Sequence, residues 1–229
     1  MEPVVLQVPE RLHAHGVAEL FRGLASCGEA SVVVLAGEPE KFCLGMDIEE
    51  WTHSDISATH ARLGKFADLL AALAACPRPT LAVIDGPALA GGLGLAAVCD
   101  YVLASDRARF GLPEALSGLA PAIIRPVLEA RLTPAQLRTL LFTGYSRDAS
   151  EAARLGLVDE VALVGELASA RKRAIRQLGR ARTKTVLAVR RWQTGLADAL
   201  RAGVEETTAA LHDPAVRAAL AEEVPWAHS

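Results

Sequence analysis

The sequence predicts an α/β protein with a layered core and parallel strand pairing. Short apolar strands alternate with longer helices between residues 4 and 104, and the chain from residue 122 onward is largely helical. Strands joined by helical crossovers pair in parallel and are covered by helices. The chain has 229 residues, of which 51% are hydrophobic. This length and composition are sufficient for one domain with a sizeable core.

Each element follows from the spacing of apolar residues. Runs of four to five mainly apolar residues predict strands at 4–8, 32–35, 81–84 and 101–104. A helical repeat predicts helices at 15–26 and 58–75, and Pro77 and Pro79 end the second of these. Two further apolar faces predict C-terminal helices at 185–196 and 199–212.

A glycine-rich turn follows the strand at 81–84 and leads into a helix. Gly86, Gly91, Gly92 and Gly94 lie in it and allow a ligand to approach the main chain. The unpaired N–H groups at a helix start favour negative charge. The spacing fits neither the phosphate-loop motif nor the dinucleotide fingerprint. The turn therefore predicts either an oxyanion site or close packing of a helix on a strand.

A second strand-end turn, Gly45-Met46-Asp47, follows the strand at 32–35. Two such turns with free amides are able to supply two N–H donors to one oxygen. Glu114 follows Gly111 and Pro113 in an apolar setting. Such a setting should raise the pKa of its carboxyl and suit acid–base chemistry, although a Glu after Pro is also a common first-turn helix residue.

These segments, in this order, resemble the crotonase (enoyl-CoA hydratase/isomerase) superfamily. The similar motifs are Phe42-Cys43-x-Gly45-x-Asp47, Gly86-x-Ala88-x-x-Gly91-Gly92 and Phe110-Gly111-x-Pro113-Glu114. The resemblance implies a ββα superhelix core over residues 1–165 and a C-terminal helical region over 166–229, within one domain overall. It also implies that the Met46 and Gly91 amides form an oxyanion hole and that Glu114 handles protons. Gly94 stands where the family has its other glutamate.

A single glutamate is compatible with three reactions through an enolate: syn dehydration, double-bond isomerisation and decarboxylation. The segments 90–94 and 114–122, together with Pro225-Trp226, resemble the dehydratases of polyketide β-branching cassettes. This finer resemblance favours a lyase that dehydrates a 3-hydroxy-3-methylglutaryl-type thioester on coenzyme A or an acyl carrier protein. The alternatives are a Δ3,Δ2-enoyl thioester isomerase, a thioester decarboxylase and a scaffold that only binds acylated carriers.

Four residues are candidates for the substrate pocket. Trp51 is expected to line an acyl pocket or pack under a loop, and Gly94 to leave room for a branched acyl group. Ser117 is expected either to touch a polar acyl group or to be structural. Arg125 is expected either to bind a substrate carboxylate as a fork or to form an interface salt bridge.

The expected partners are an acyl thioester, an acyl carrier protein and further copies of the chain in a trimer or hexamer. No cofactor is expected besides the coenzyme A or phosphopantetheine arm of the substrate. The net charge of −3 argues against nucleic acid, and no apolar run reaches membrane-spanning length. The four scattered cysteines and the absence of a secretory signal predict reduced thiols, no metal site and a cytoplasmic protein. Basic residues between 171 and 191 form either a solvated face or a docking surface for an acidic carrier helix.

Overall fold

The computed structural model describes residues 1–47, 50, 54–144 and 146–221. Its strands are β1 (Val4–Gln7), β2 (Val33–Ala36), β3 (Thr80–Ile84), β4 (Pro87–Leu89), β5 (Tyr101–Ser105), β6 (Arg109–Gly111), β7 (Arg147–Asp148) and β8 (Glu160–Ala162). Its α-helices are α1 (Ala14–Ala25), α2 (Ile56–Ala74), α3 (Gly91–Ala97), α4 (Arg125–Glu129), α5 (Pro134–Thr143), α6 (Ala149–Leu155), α7 (Leu167–Leu178), α8 (Thr183–Arg190), α9 (Leu196–Leu211) and α10 (Pro214–Ala221). Short 3-10 helices span Pro113–Ser117 and Val164–Glu166.

The main sheet has five strands in the order β1-β2-β3-β5-β8, and each neighbouring pair is parallel. All residues of β2 and β3 are buried, because helices cover both faces of a parallel sheet. The α/β class and the four predicted strands are confirmed.

A second, smaller sheet carries the three motif segments. Strand β4 pairs in parallel with β6, and β6 pairs antiparallel with β7. An isolated parallel bridge joins Cys43 to Ala88 of β4, which ties the first motif to the second. The sequence analysis missed this sheet because strands of two or three residues are too short to show an alternating pattern. It also missed β8 at the edge of the main sheet.

Helix α2 is the long helix predicted from the apolar repeat. Asp55 caps its start by accepting a hydrogen bond from the Ala58 amide at 2.7 Å. Its buried face includes Leu63, Phe66, Leu70 and Leu73, and the helix packs against α1 and α9. This packing brings α9, from the far end of the chain, over the motif segments. In the described ranges, no helix is long and apolar enough to cross a lipid bilayer.

The C-terminal helices are not separate from the sheet. Ala170 and Ala174 of α7 share an apolar cluster with Val32, just before β2, and with Val34 of β2. The observed bounds of α8 and α9 differ by one to six residues from the predicted bounds, because apolar periodicity locates helix faces better than helix ends. The proposed division at residue 165 remains a prediction.

A partly buried ion pair joins α8 to the starts of the neighbouring strands β3 and β5. Asp100, just before β5, accepts hydrogen bonds from the Thr80 amide at 2.8 Å and from Arg190 Nη2 at 2.6 Å. Arg190 Nε also donates to the Cys76 carbonyl at 3.1 Å, and only 8% of the Arg190 side chain is exposed. Arg190 therefore does not belong to a free basic surface, which corrects its place in the suggested carrier-docking face.

Replacing Asp100 with Ala should lower the free energy of unfolding by about 3 kcal/mol, because it leaves the buried Arg190 guanidinium without its partner. Asp68→Ala is the matched control: its partner Arg201 is 61% exposed, so the loss should be below about 1 kcal/mol. Urea unfolding of both variants measures the difference. Equal losses would contradict the structural role of Asp100.

Candidate active site

The first motif ends in a turn that leaves the Met46 amide free. The Leu12 amide donates to the Gly45 carbonyl at 2.8 Å, and the Asp47 amide donates to the Leu12 carbonyl at 3.2 Å. In this parallel bridge the Met46 N–H points away from Leu12. It has no hydrogen-bond acceptor in the described part of the chain, so it is available to a ligand.

The second motif leaves the Gly91 amide free in the same way. Gly91 is the first residue of α3, where an N–H has no partner within the helix. The preceding residue, Ala90, has φ 49° and ψ −123°, a conformation that L-residues rarely adopt. Strained backbone of this kind concentrates at functional sites, where the surrounding structure holds it in place.

The two turns are in direct contact. Gly45 has φ 98°, and a Cβ built on it would lie 3.3 Å from the Gly91 nitrogen and 2.8 Å from the Ala90 Cβ. Only glycine therefore fits at Gly45, both for its conformation and for its space. The contact brings Met46 and Gly91 close together, and both residues line a single cavity.

This cavity has a volume of about 160 Å³ and mostly apolar walls. Glu114 and Ser117 line it together with Met46 and Gly91. The apolar lining comes from several elements and includes Leu44, Leu63, Phe66, Pro113, Leu119, Ile123, Ile124, Leu211 and Leu220. The structure thus brings three of the predicted chemical groups, from separate segments, to one place.

Glu114 carries the acid–base chemistry of this cavity. It lies in the 3-10 helix Pro113–Ser117, two residues beyond Leu112 and just after β6. Its Oε2 is buried and has no hydrogen-bond partner among the described residues. Burial raises the pKa of Glu114 from its usual 4.5 to about 8, against an opposing backbone hydrogen bond. The pKa elevation expected from the apolar setting is confirmed.

Only some of the residues predicted for the substrate pocket line the cavity. Ser117 is buried and lines the cavity. At Gly94 a Cβ would lie 2.3 Å from Ile124 Cγ2, so the side chain of Ile124 already fills the space. The expectation that Gly94 leaves room for a branched acyl group is therefore wrong. Trp51 lies outside the described residues.

Arg125 is on the surface and not in the cavity. Its side chain is 55% exposed, and its Nε lies 3.7 Å from Glu129 Oε1 of the same helix. Ile123 and Ile124, which precede it, point inward and line the cavity. Helical geometry turns the next residue outward, which corrects the expectation that Arg125 binds a substrate carboxylate.

Two arginines that the sequence analysis did not assign to the pocket line the cavity instead. Arg11 is exposed and precedes Leu12, which bridges to Met46. Arg217 is half-buried on α10. Thr207 and Leu211 of α9 complete that side. No local sequence signal marks these residues, because long-range packing brings them to the motif segments: the bridge of Leu12 to Met46 places Arg11, and the packing of α9 on α2 places the others.

The cysteines do not supply a nucleophile. All four are free and buried, and burial raises the pKa of Cys43 and of Cys99 to about 12. The arrangement instead suits a carbonyl whose oxygen accepts two amide hydrogen bonds while Glu114 exchanges a proton with a neighbouring atom.

Comparison with known proteins gives the same family as the resemblance of the motifs. The sequence model of the enoyl-CoA hydratase/isomerase family matches residues 6–221. The enoyl-CoA hydratase ACTT6 of Alternaria alternata is 33% identical over 166 residues, which are 70% of this chain and 55% of that protein. The chain thus spans about half the length of this curated relative.

Solved structures show the same fold. An enoyl-CoA hydratase from Mycobacterium avium superposes with a TM-score of 0.82 at 27% identity, over 95% of this chain and 89% of that one. A Bacillus subtilis protein assigned as a polyketide biosynthesis enoyl-CoA hydratase superposes with a TM-score of 0.81 at 24% identity, over 93% and 90% of the two chains. The crotonase-like fold expected from the motifs is confirmed.

The raised pKa of Glu114 predicts a pH-dependent cost to stability. Between pH 4.5 and pH 8 the unfolded chain loses this proton while the folded chain keeps it, so the free energy of unfolding falls as pH rises. Glu114→Gln removes the titration. It should exceed the wild type in stability above pH 8, by up to about 5 kcal/mol, and match it below pH 4.5.

Denaturant unfolding across this pH range measures the difference. Glu129→Gln is the control, because the Glu129 side chain is 53% exposed and its replacement should leave the pH dependence unchanged. A constant difference between Glu114→Gln and wild type at all pH values would show that the Glu114 carboxyl is not buried.

Proposed function

The chain belongs to the enoyl-CoA hydratase/isomerase family, and on that premise we propose that it is an enzyme that dehydrates a 3-hydroxyacyl thioester through an enolate. One observation carries this proposal. Glu114, whose Oε2 has no hydrogen-bond partner among the described residues, lines one cavity with Met46 and Gly91, whose main-chain amides have no acceptor among those residues. A desolvated carboxylate is a strong base, and two fixed N–H donors stabilise the negative charge that its action creates.

The proposed reaction uses one carboxyl group twice. The thioester carbonyl oxygen accepts hydrogen bonds from the Met46 and Gly91 amides. The Glu114 carboxylate takes the α-proton, and the electron pair of that C–H bond moves into the enolate. When the enolate collapses, the α–β double bond forms and the β C–O bond breaks. The leaving hydroxyl takes the proton from Glu114 and departs as water on the same face.

The surroundings of Gly94 support a mechanism with one carboxylate. In the family resemblance this position holds the second glutamate, and here the side chain of Ile124 fills the adjacent space. A hydration mechanism in which two carboxylates bind one water molecule requires a second carboxylate, and Gly94 does not supply one at this position. Elimination of water needs only Glu114, provided that it can reach both the α-hydrogen and the β-hydroxyl.

We further propose a 3-hydroxy-3-methylglutaryl-type acyl group in a polyketide-type pathway, carried by an acyl carrier protein or coenzyme A. Support comes from the similarity of residues 90–94 and 114–122 to polyketide β-branching dehydratases. The thioester arm belongs to the substrate, so no separate cofactor is proposed. A trimer or hexamer is proposed from the family resemblance.

Isomerisation of a Δ3 to a Δ2 enoyl thioester is the second candidate. The same single carboxyl would move a proton between two carbons, and the apolar cavity around Glu114 favours a proton transfer that excludes bulk water. The products separate the two reactions, because dehydration releases water and isomerisation leaves the mass of the substrate unchanged.

Glu114→Gln should abolish dehydration of a 3-hydroxy-3-methylglutaryl thioester while the protein remains folded. Since the free enzyme must present a carboxylate, the wild-type kcat/KM for dehydration should rise with pH and level off above about pH 8. Mass spectrometry of the thioester products follows both. The exposed Glu129→Gln variant should keep wild-type rates and the same pH profile.

The other outcomes identify the alternatives. Loss of carbon dioxide from a 3-methylglutaconyl-type thioester, undiminished in Glu114→Gln, would indicate a decarboxylase that relies on the two amides alone. Binding of acylated carrier protein without turnover of any acyl thioester would indicate a scaffold. Either result would overturn the proposed dehydration.

A further inference from the structure

Arg217 is held in a fixed position at the side of the cavity. Its Nε donates to the Leu211 carbonyl at 2.7 Å, and its Nη2 donates to His212 Nδ1 at 2.8 Å. Both acceptors lie at the end of α9, so the guanidinium links α10 back to α9. An arginine with two of its nitrogens anchored in this way loses little further freedom when it binds a ligand.

His212 extends this anchor to α2. A guanidinium has only donors, so His212 Nδ1 accepts this hydrogen bond, and the other ring nitrogen, Nε2, faces α2. That nitrogen lies 3.3 Å from Thr59 Oγ1, and Thr59 is only 3% exposed. The chain Arg217–His212–Thr59 therefore fixes the guanidinium relative to the helix that also supplies Leu63 and Phe66 to the cavity.

The remaining nitrogen of Arg217 has no assigned partner. Nη1 makes no hydrogen bond or ion pair with the described residues, and Arg217 lines a cavity with mostly apolar walls. A guanidinium beside apolar walls is stabilised when a negative ligand group pairs with it. Glu114 does not serve as this partner, because burial and a backbone hydrogen bond account for its pKa and no cation contributes.

Arg217 and Glu114 nevertheless belong to neighbouring elements. Helix α10 packs on the 3-10 helix that carries Glu114, and a Cβ at Gly118 would lie 3.4 Å from Val216 Cγ2. An acyl group whose α-carbon faces Glu114 therefore has Arg217 along the same cavity. Arg11, the other cation in the lining, precedes the residue that bridges to Met46 and so belongs to the thioester side.

We propose that Arg217 is a specificity-determining residue that binds a second carboxylate, at the distal end of the acyl group. It takes the role that the sequence analysis gave to Arg125. The substrate class is then an acyl thioester with a free carboxylate, as in a glutaryl chain, in preference to a neutral branched or linear acyl chain. This inference rests on the proposed function in placing the thioester at the two amides and the α-carbon at Glu114.

The test compares two coenzyme A thioesters that differ in one group. The 3-hydroxy-3-methylglutaryl thioester carries the distal carboxylate, and the 3-hydroxy-3-methylbutyryl thioester lacks it. Calorimetry measures their binding in a Glu114→Gln background, where no turnover interferes. We expect tighter binding of the carboxylated thioester, and Arg217→Gln should weaken it by about 10- to 100-fold while leaving the neutral thioester unchanged.

Two further variants separate binding from structure. Arg217→Lys keeps the charge but not the fork, so it should recover part of the lost affinity. Arg11→Gln removes the other cation of the same cavity and should not change the ratio between the two thioesters. Because that ratio is measured on one protein sample, a partial loss of folded protein in Arg217→Gln cancels from it.

Several results would overturn the proposal. Equal weakening of both thioesters by Arg217→Gln would show that Arg217 only holds α10 in place. A selective loss in Arg11→Gln, or equal affinity of the Glu114→Gln protein with intact Arg217 for the two thioesters, would also exclude it. The proposed dehydration fails separately: selective binding through Arg217 without turnover in the Glu114-containing protein would leave the carboxylate subsite intact and remove the reaction.

Discussion

The contact between the turns at Gly45 and at Ala90–Gly91 is the constraint on which the site depends. Neither turn alone supplies two N–H groups to one oxygen. Each turn contains a residue with a positive φ, Gly45 in the first and Ala90 in the second, and L-residues rarely adopt this conformation. The small sheet formed by β4, β6 and β7 and the bridge between Cys43 and Ala88 hold the turns together. The strain at Ala90 is thus supported by hydrogen bonds and packing on both sides.

Glu114 gains its chemical character from the same cavity. An isolated buried carboxyl lowers stability at neutral and alkaline pH, since its ionisation is opposed by desolvation. Its lack of a partner is what makes it a strong base, so the stability cost and the proposed activity have one origin. Ile124, which fills the space beside Gly94, keeps that part of the cavity apolar and without a second acid.

The features that could be predicted from the sequence are those determined by residues close together in the chain. Strands β2, β3 and β5 and helix α2 are long enough to show their apolar patterns, and the three motif segments each lie within a few consecutive residues. The 3-10 helix after Pro113 also places Glu114 by local geometry. These features required no knowledge of distant contacts, and the structure bears them out.

The remaining features depend on packing between distant parts of the chain. Arg217 reaches the cavity because α9 packs on α2, and the contact of its partner His212 with Thr59 joins residues 153 positions apart. The apolar residues before Arg125 suggested that it binds a substrate carboxylate, with an interface salt bridge as the alternative, and the phase of α4 turns its side chain outward. The space at Gly94 depends on a side chain from another helix. A single sequence contains no direct signal for such contacts.

The most direct measurement of the central claim is solvent exchange at the α-carbon of a saturated acyl thioester. Butyryl coenzyme A is incubated with the enzyme in deuterium oxide, and proton NMR follows its C2 hydrogens. Wild type and Gly64→Ala, whose added methyl meets open space, should exchange one of the two hydrogens stereospecifically. Gly45→Ala, whose methyl would displace Ala90 and Gly91, should slow exchange by about 100-fold or more. No exchange in wild type, or equal exchange in the two glycine variants, would contradict the account.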